Sequence, residues 1–136
     1  MVERDETYEA FDLALRVGEI LLSSGAGAAD VTTTMLAVTR ACGVSGVTTD
    51  VTYTDLTLRH QPRLDAPAAI QVRHVTRREV DYETLTEVDL VVHSLVAEEI
   101  SREEAGTGLL REARRLETRL SGPRMVGPLL RRRRGS

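Results

Sequence analysis

The sequence lacks several residue types and patterns, and each absence excludes a class of protein. One of its 136 residues is cysteine and none is tryptophan. The single cysteine, Cys42, excludes an internal disulfide and any zinc site built from several cysteines. Aromatic residues make up only 3%, which disfavours recognition of single-stranded nucleic acid by base stacking. The longest apolar run, residues 35–38, is far shorter than the roughly 20 residues that span a membrane.

Arginine carries all the side-chain positive charge other than that of histidine, because lysine is absent. The formal net charge of −3 is divided unevenly along the chain. Residues 119–136 hold six arginines and no acid, whereas the other 118 residues hold twelve arginines and 21 acids, a charge of −9. Nucleic-acid binding by this acidic body is disfavoured, because attraction to phosphates needs clustered positive charge.

Two stretches near the N-terminus repeat apolar residues at the three- and four-residue spacing of a helix. The first runs from about Glu6 to Ser24 and the second from about Ala28 to Cys42. Only the small residues Gly25-Ala26-Gly27 stand between them. A link this short predicts a helical hairpin or a sharp corner.

After Gly46 the apolar period changes to two, in a segment rich in β-branched residues, which predicts strands. The alternation shifts by one residue near Thr54 and Asp55, which predicts a bulge or a tight bend. Residues 61–67 have the composition of a turn, and residues 69–75 alternate again. These segments predict an antiparallel meander of two to three strands.

The remainder of the acidic body returns to helical spacing. Asp81 is placed to cap a helix over residues 82–99. Ser101 and Glu104 have the spacing of a capping box, which opens a further helix to about Leu120.

These elements predict an α+β fold. Its order is a helical hairpin, a small antiparallel meander, then two further helices packed on the sheet. Residues 1–120 are expected to form a single domain. Residues 121–136 contain two Gly-Pro pairs and four consecutive arginines, which predict a flexible basic tail.

Five segments in order carry the most distinctive sequence: LRVGEILLSSGAG at 15–27, ADV at 29–31 with Met35, ACG at 41–43, DVTYTDLTL at 50–58 and ISREEA at 100–105. Together they resemble the N-terminal soluble domain of the threonine/serine exporter family, from about Phe11 to Leu116. The resemblance implies an accessory domain placed before a polytopic membrane exporter of small hydroxy amino acids. It also implies a hydrolase-like domain without an established catalytic set.

The family would begin its first membrane helix about where this sequence ends, at Ser136. We therefore expect export itself to reside in a membrane-exporter partner or in a missing transmembrane part. The predicted function is an accessory and regulatory domain acting with that partner in small amino-acid export. The alternatives are a small hydrolase of amide or peptide bonds and an amino-acid-binding module.

The hydrolase alternative needs a nucleophile, a base and an acid that converge. The candidates are Ser24 or Thr54 as nucleophile, with His60 and Asp55. Ser24 is predicted at the end of a helix, where the helix dipole disfavours developing negative charge. The competing interpretation is structural: small residues permit a tight corner, and Asp55 bonds to backbone at a bend.

The amino-acid-binding alternative uses the start of the second helix. Backbone N–H groups at a helix N-terminus bind carboxylates, so Gly25, Ala26, Gly27 and Ala28 are the candidate ligand-binding residues.

Neither a metal site nor a cofactor is predicted, because His60, His74 and His93 do not have the spacing of metal ligands. Cys42 is expected to be a buried, unreactive thiol.

The basic tail predicts membrane proximity. Arg131, Arg132, Arg133 and Arg134 could contact anionic lipid, and basic flanks favour the cytoplasmic side. We therefore expect a cytoplasmic location at the inner face of the plasma membrane. The alternative is a solubilising terminus. A homodimer is a further expectation, because the apolar stripe of the first helix is long for so small a core.

Overall fold

The computed structural model describes residues 4–76 and 79–120. Its elements are α1 (Arg4–Ser23), α2 (Ala28–Ala41), β1 (Thr48–Val51), β2 (Asp55–His60), β3 (Ala69–His74), α3 (Tyr82–Val96) and α4 (Arg102–Leu120). This order confirms the predicted α+β class and the sequence of helices and strands. The predicted tail, residues 121–136, lies outside the described residues.

The three strands form an antiparallel sheet in the order β1-β2-β3. A tight turn over residues 52–55 joins β1 to β2. Its ends are held by the Thr52 amide, which donates to the Asp55 carbonyl at 2.9 Å, and by the Asp55 amide, which donates to Thr52 Oγ1 at 2.9 Å. The predicted bend near Thr54 is therefore the reversal between two strands. The apolar alternation shifts there because each strand starts its own pattern.

The central element is α1, which contacts the sheet, α2, α3 and α4. Its apolar side chains are buried around most of the helix, including Phe11, Leu15 and Val17. The prediction that the last two helices pack on the sheet is wrong in this respect, because α3 and α4 pack on the α1–α2 hairpin. Because α1 is buried on more than one side, it lies between the sheet and the helices α3 and α4. A helix with a single apolar stripe could pack against only one of them.

A glycine allows the close approach of α1, α2 and the sheet. A Cβ at Gly18 would lie 2.5 Å from Met35 Sδ and 3.1 Å from Leu56 Cδ1. Farther along the interface, the Arg73 guanidinium on β3 pairs with Asp12 at 3.2 Å and Glu19 at 3.0 Å on α1. These contacts fix the sheet against the central helix.

Both predicted helix caps are present. Asp81 Oδ1 accepts from the Thr84 amide at 3.1 Å at the start of α3. Ser101 and Glu104 exchange backbone-to-side-chain hydrogen bonds of 3.0 and 3.1 Å before α4. Each cap satisfies amide groups that a helix start leaves without a partner.

The sheet has one covered and one open face. Leu56 and Leu58 on β2 point toward the helices and are fully buried. Ile70 and Val72 on β3 lie on the other face, with 52% and 57% of their surface exposed. No described element covers this outer face.

Candidate functional site

The link between α1 and α2 is built from small residues for a steric reason. Gly25 has φ +100°, a conformation that favours glycine. A Cβ there would also lie 3.1 Å from Val80 Cγ2. Gly27 then caps α2 through its extended backbone, without a side-chain hydrogen bond to the first turn. The corner predicted from the sequence is therefore present, and Gly27 leaves the start of α2 without a side-chain cap.

An open groove of about 510 Å³ lies beside this corner. It is lined by Leu21, Gly25, Ala26, Gly27, Asp30, Thr34, Leu85, Thr86, Val88 and Asp89. Three of the four predicted ligand-binding residues are among them. Ala28 begins the adjacent helix and is exposed.

Charges of both signs meet in the groove. The start of α2 carries the positive end of the helix dipole. Asp30 in its first turn and Asp89 on α3 contribute carboxylates from two different helices. Asp89 lies beside His93, whose Nδ1 is 3.6 Å from Asp89 Oδ2, whereas Asp30 has no ion pair among the described residues. The carboxylates disfavour a simple anion and suit an ammonium group. The groove is chemically suited to a small ligand that carries both charges.

The predicted nucleophile Ser24 is fully buried. Its backbone is used structurally, since the Ser24 carbonyl accepts from the Asp81 amide at 3.1 Å. Its Oγ is buried and has no hydrogen-bond partner in the described part of the chain. Ser24 Oγ is therefore not bonded to a histidine base.

The predicted base His60 is far from the predicted acid Asp55. They occupy the two ends of β2, five residue steps apart, or about 17 Å along a strand. His60 Nδ1 is buried without a hydrogen-bond partner among the described residues. The four catalytic candidates, Ser24, Thr54, Asp55 and His60, do not meet in one site.

Asp55 pairs with a different histidine. His74 faces it across the β2–β3 register, and His74 Nδ1 lies 2.8 Å from Asp55 Oδ1. Thr54 Oγ1 donates to Asp55 Oδ2 at 2.9 Å. The contact with His74, followed by that with Thr54, lowers the pKa of Asp55. Asp55 thus lies between Thr54 and His74, whereas an activated nucleophile must donate to the base directly.

Three residues of these two regions were missed from the sequence: His74, Asp30 and Asp89. His74 could have been found by pairing the strands on either side of the turn at residues 61–67, because the register that sets His60 opposite Ala69 also sets Asp55 opposite His74. The two aspartates carry no such signal, since they line the same groove only because α3 packs against α2.

Other predictions have more limited outcomes. Cys42 is buried, and burial raises the pKa of its thiol, as expected of an unreactive cysteine. Within residues 4–76 and 79–120, no three His, Cys, Asp or Glu side chains cluster as metal ligands. Arg131, Arg132, Arg133 and Arg134 lie outside the described residues.

Comparison with known proteins identifies the family. A family model described as "Putative threonine/serine exporter" matches residues 12–117. A "Probable threonine/serine exporter" of Mycobacterium tuberculosis is 31% identical over 99 residues, 73% of this chain and 19% of that protein. A "Threonine/serine exporter" of Corynebacterium glutamicum is 29% identical over 98 residues, 71% of this chain and 20% of that protein.

The chain therefore spans about a fifth of the length of these curated relatives. No solved structure matches it. Among the described helices, none has the length and apolar character needed to cross a membrane. The family match covers most of the chain and agrees with the predicted resemblance, so this chain belongs to the threonine/serine exporter family.

Proposed function

We propose that this chain acts as an accessory and regulatory domain in the export of threonine and serine. The observation that carries the proposal is the family match over residues 12–117, together with relatives named as exporters of which this chain covers about a fifth. The membrane-embedded activity then belongs to a partner, either a separate chain or a further part of the same protein.

In this proposal the domain works at the cytoplasmic face of the membrane. The basic residues Arg131 to Arg134 support it, since basic flanks favour the cytoplasmic side and attract anionic lipid. The acidic body disfavours close contact of the whole domain with such a surface, so the tail is the membrane-proximal part.

Efflux measurements test the accessory role. Cells that contain the membrane-embedded partner are loaded with labelled threonine or serine, with and without residues 1–136. We expect efflux of both amino acids to fall without the domain and to recover when it is supplied again. Efflux of an unrelated amino acid such as proline serves as the control. Unchanged threonine and serine efflux would contradict the proposal.

A second candidate function is recognition of the amino acid itself, which the groove beside α2 favours. The uncapped start of α2 suits the carboxylate of a free amino acid. Asp30 and Asp89 suit its ammonium group. Thr34 adds a hydroxyl group to the groove wall. A domain that binds threonine or serine here could report their concentration to the exporter.

Thermal unfolding with added ligand tests this recognition. Threonine at about 100 times its Kd would stabilise the domain by about 2.7 kcal/mol. We expect N-acetylthreonine, which lacks the ammonium group, to give a smaller rise in Tm. Asp30→Asn should reduce the threonine effect, whereas the matched control Asp50→Asn on the sheet should preserve it. Equal shifts in both variants, or none in the wild type, would exclude the groove as the site.

A further inference from the structure

We propose that two copies of this chain associate through the free edge of β3, so that their sheets join into one six-stranded antiparallel sheet. The inference concerns self-association and does not depend on the proposed role in export.

The hydrogen bonding shows which backbone groups of β3 are free. The Val75 amide donates to the Thr54 carbonyl at 2.6 Å, in the same register that pairs β3 with β2. Because bonding alternates along an antiparallel strand, Ala69, Gln71 and Arg73 use their N–H and C=O groups toward β2. The same groups of the alternate residues Ile70, Val72 and His74 point to the free edge.

This edge lacks most of the features by which proteins protect exposed strands. Such edges are protected by charged side chains, including inward-pointing ones, by proline, by a bulge or by a very short strand. β3 is six residues long, pairs with β2 throughout its length, and contains neither lysine nor proline. Its one arginine, Arg73, is an inward-pointing charge of this protective kind, and its ion pairs with Asp12 and Glu19 on α1 hold it away from the open face. By contrast, β1 at the other edge has only four residues.

The side chains at this edge complement themselves. In an antiparallel pairing that places Gln71 opposite Gln71 of the partner subunit, Ile70 lies opposite Val72 of the partner subunit. Both residues are more than half exposed in the single chain. The pairing gathers two isoleucines and two valines on one face, and cross-strand apolar pairs of this kind stabilise sheets.

A buried acceptor without a partner favours the same register. Gln71 Oε1 is buried and makes no hydrogen bond within the described part of the chain. On the two-fold axis the two Gln71 residues form a non-hydrogen-bonded pair, in which the side chains are closest, so their side-chain amides face each other. Each amide has a donor and an acceptor, so rotation of both side chains lets the pair bond reciprocally.

The contact involves one strand from each copy, so we expect a reversible dimer. Interfaces below about 1,200 Å² are typical of weak or transient association. Sedimentation of the full chain over a range of concentrations should therefore show a monomer–dimer equilibrium.

A charge placed on the edge tests the surface. Val72→Lys should raise the dimer Kd at least about tenfold, since it sets lysines beside the two-fold axis and removes apolar contact. Thr48→Lys adds the same charge to the same face at the opposite edge and should leave the Kd unchanged. A chain that stays monomeric at all concentrations, or a dimer that Val72→Lys leaves intact, would overturn the proposal.

A cross-link tests the register independently of dimer strength. Gln71→Cys should form an intermolecular disulfide under mild oxidation, because opposed residues of a non-hydrogen-bonded pair have Cα atoms about 4.5 Å apart, within disulfide range. Thr48→Cys is the exposed control. Buried Cys42 is common to both variants. Equal cross-linking of both variants, or none at Gln71→Cys, would contradict the pairing.

Discussion

The two faces of the three-stranded sheet are formed by the same strands but differ in exposure to solvent. On the inner face Leu56 and Leu58 are fully buried against the helices. On the outer face Ile70 and Val72 are more than half exposed. The inner face therefore contributes to folding, whereas the outer face and the β3 edge can contact other molecules at little cost in stability. The distinction depends on which side of each strand the α1–α2 hairpin covers.

The largest expected difference in unfolding free energy is between truncating an apolar side chain on the inner face and truncating one on the outer face. Leu58→Ala should lower the free energy of unfolding by about 2–5 kcal/mol, because it leaves a cavity in the core. Val72→Ala should cost less than about 1 kcal/mol in the monomer, because that side chain is already half in water. Urea unfolding at a concentration where the chain is monomeric measures both. Equal costs would mean that the two faces are equally buried.

A methyl group between α1 and the inner face should have the next largest effect. Gly18→Ala should destabilise by about 1–3 kcal/mol, since the new Cβ would lie 2.5 Å from Met35 Sδ. Gly106→Ala in α4 is the control, because nothing lies within 4 Å of its Cβ position. That control should stabilise by up to about 1 kcal/mol through helix propensity. Thermal unfolding would contradict the argument if both variants moved Tm in the same direction.

Replacing one arginine on each face compares how much their charges contribute to the free energy of unfolding. Arg73→Met removes the ion pairs with Asp12 and Glu19 on the inner side. Its cost should be about 1 kcal/mol or less, because the partners are partly exposed, and should shrink in high salt. Arg59→Met on the outer face removes an exposed arginine with no ion pair among the described residues. It should leave the unfolding free energy unchanged at any salt concentration. If the effects of Arg59→Met and Arg73→Met depended on salt in the same way, the two faces would not differ in their ion pairs.

The smallest effect is the pH dependence of the Asp55–His74 pair at the end of the sheet. The pKa of Asp55 is lowered in the folded state. Its contribution is therefore fully present above the unfolded pKa, about 3.9, and is lost as pH falls through the folded pKa. Titration of the carboxyl group by NMR should show the pKa of Asp55 returning toward its ordinary value in His74→Ala. An unchanged pKa would show that His74 is not its main cause.

Helices and caps followed closely from the sequence because their signals are local. The capping residues Asp81, Ser101 and Glu104 act within one helical turn, so spacing alone predicted their hydrogen bonds. The corner at Gly25 followed for the same reason. The strand reversal near Thr54 was located, but its interpretation as bulge or bend stayed open, because a shift of parity is compatible with both.

The candidate site was less predictable because it depends on residues far apart in sequence. His60 is nearer to Asp55 along the chain, but His74 is the partner, since strand register and not sequence distance decides which side chains meet. The placement of α3 and α4 on the hairpin also could not be derived from one apolar stripe. Asp30 and Asp89 line one groove only as a result of that placement.

The sequence by itself determined the α+β order, the caps, the small-residue corner and the family, because each depends on local spacing or collinear motifs. Tertiary structure alone decided that α1 lies at the centre, that Asp55 bonds to His74, and that Gln71 and the outer groups of β3 have no partner within the described chain. The physical reason is that burial and pairing are properties of surfaces brought together from distant segments, and a linear pattern specifies which residues can be buried but not against what.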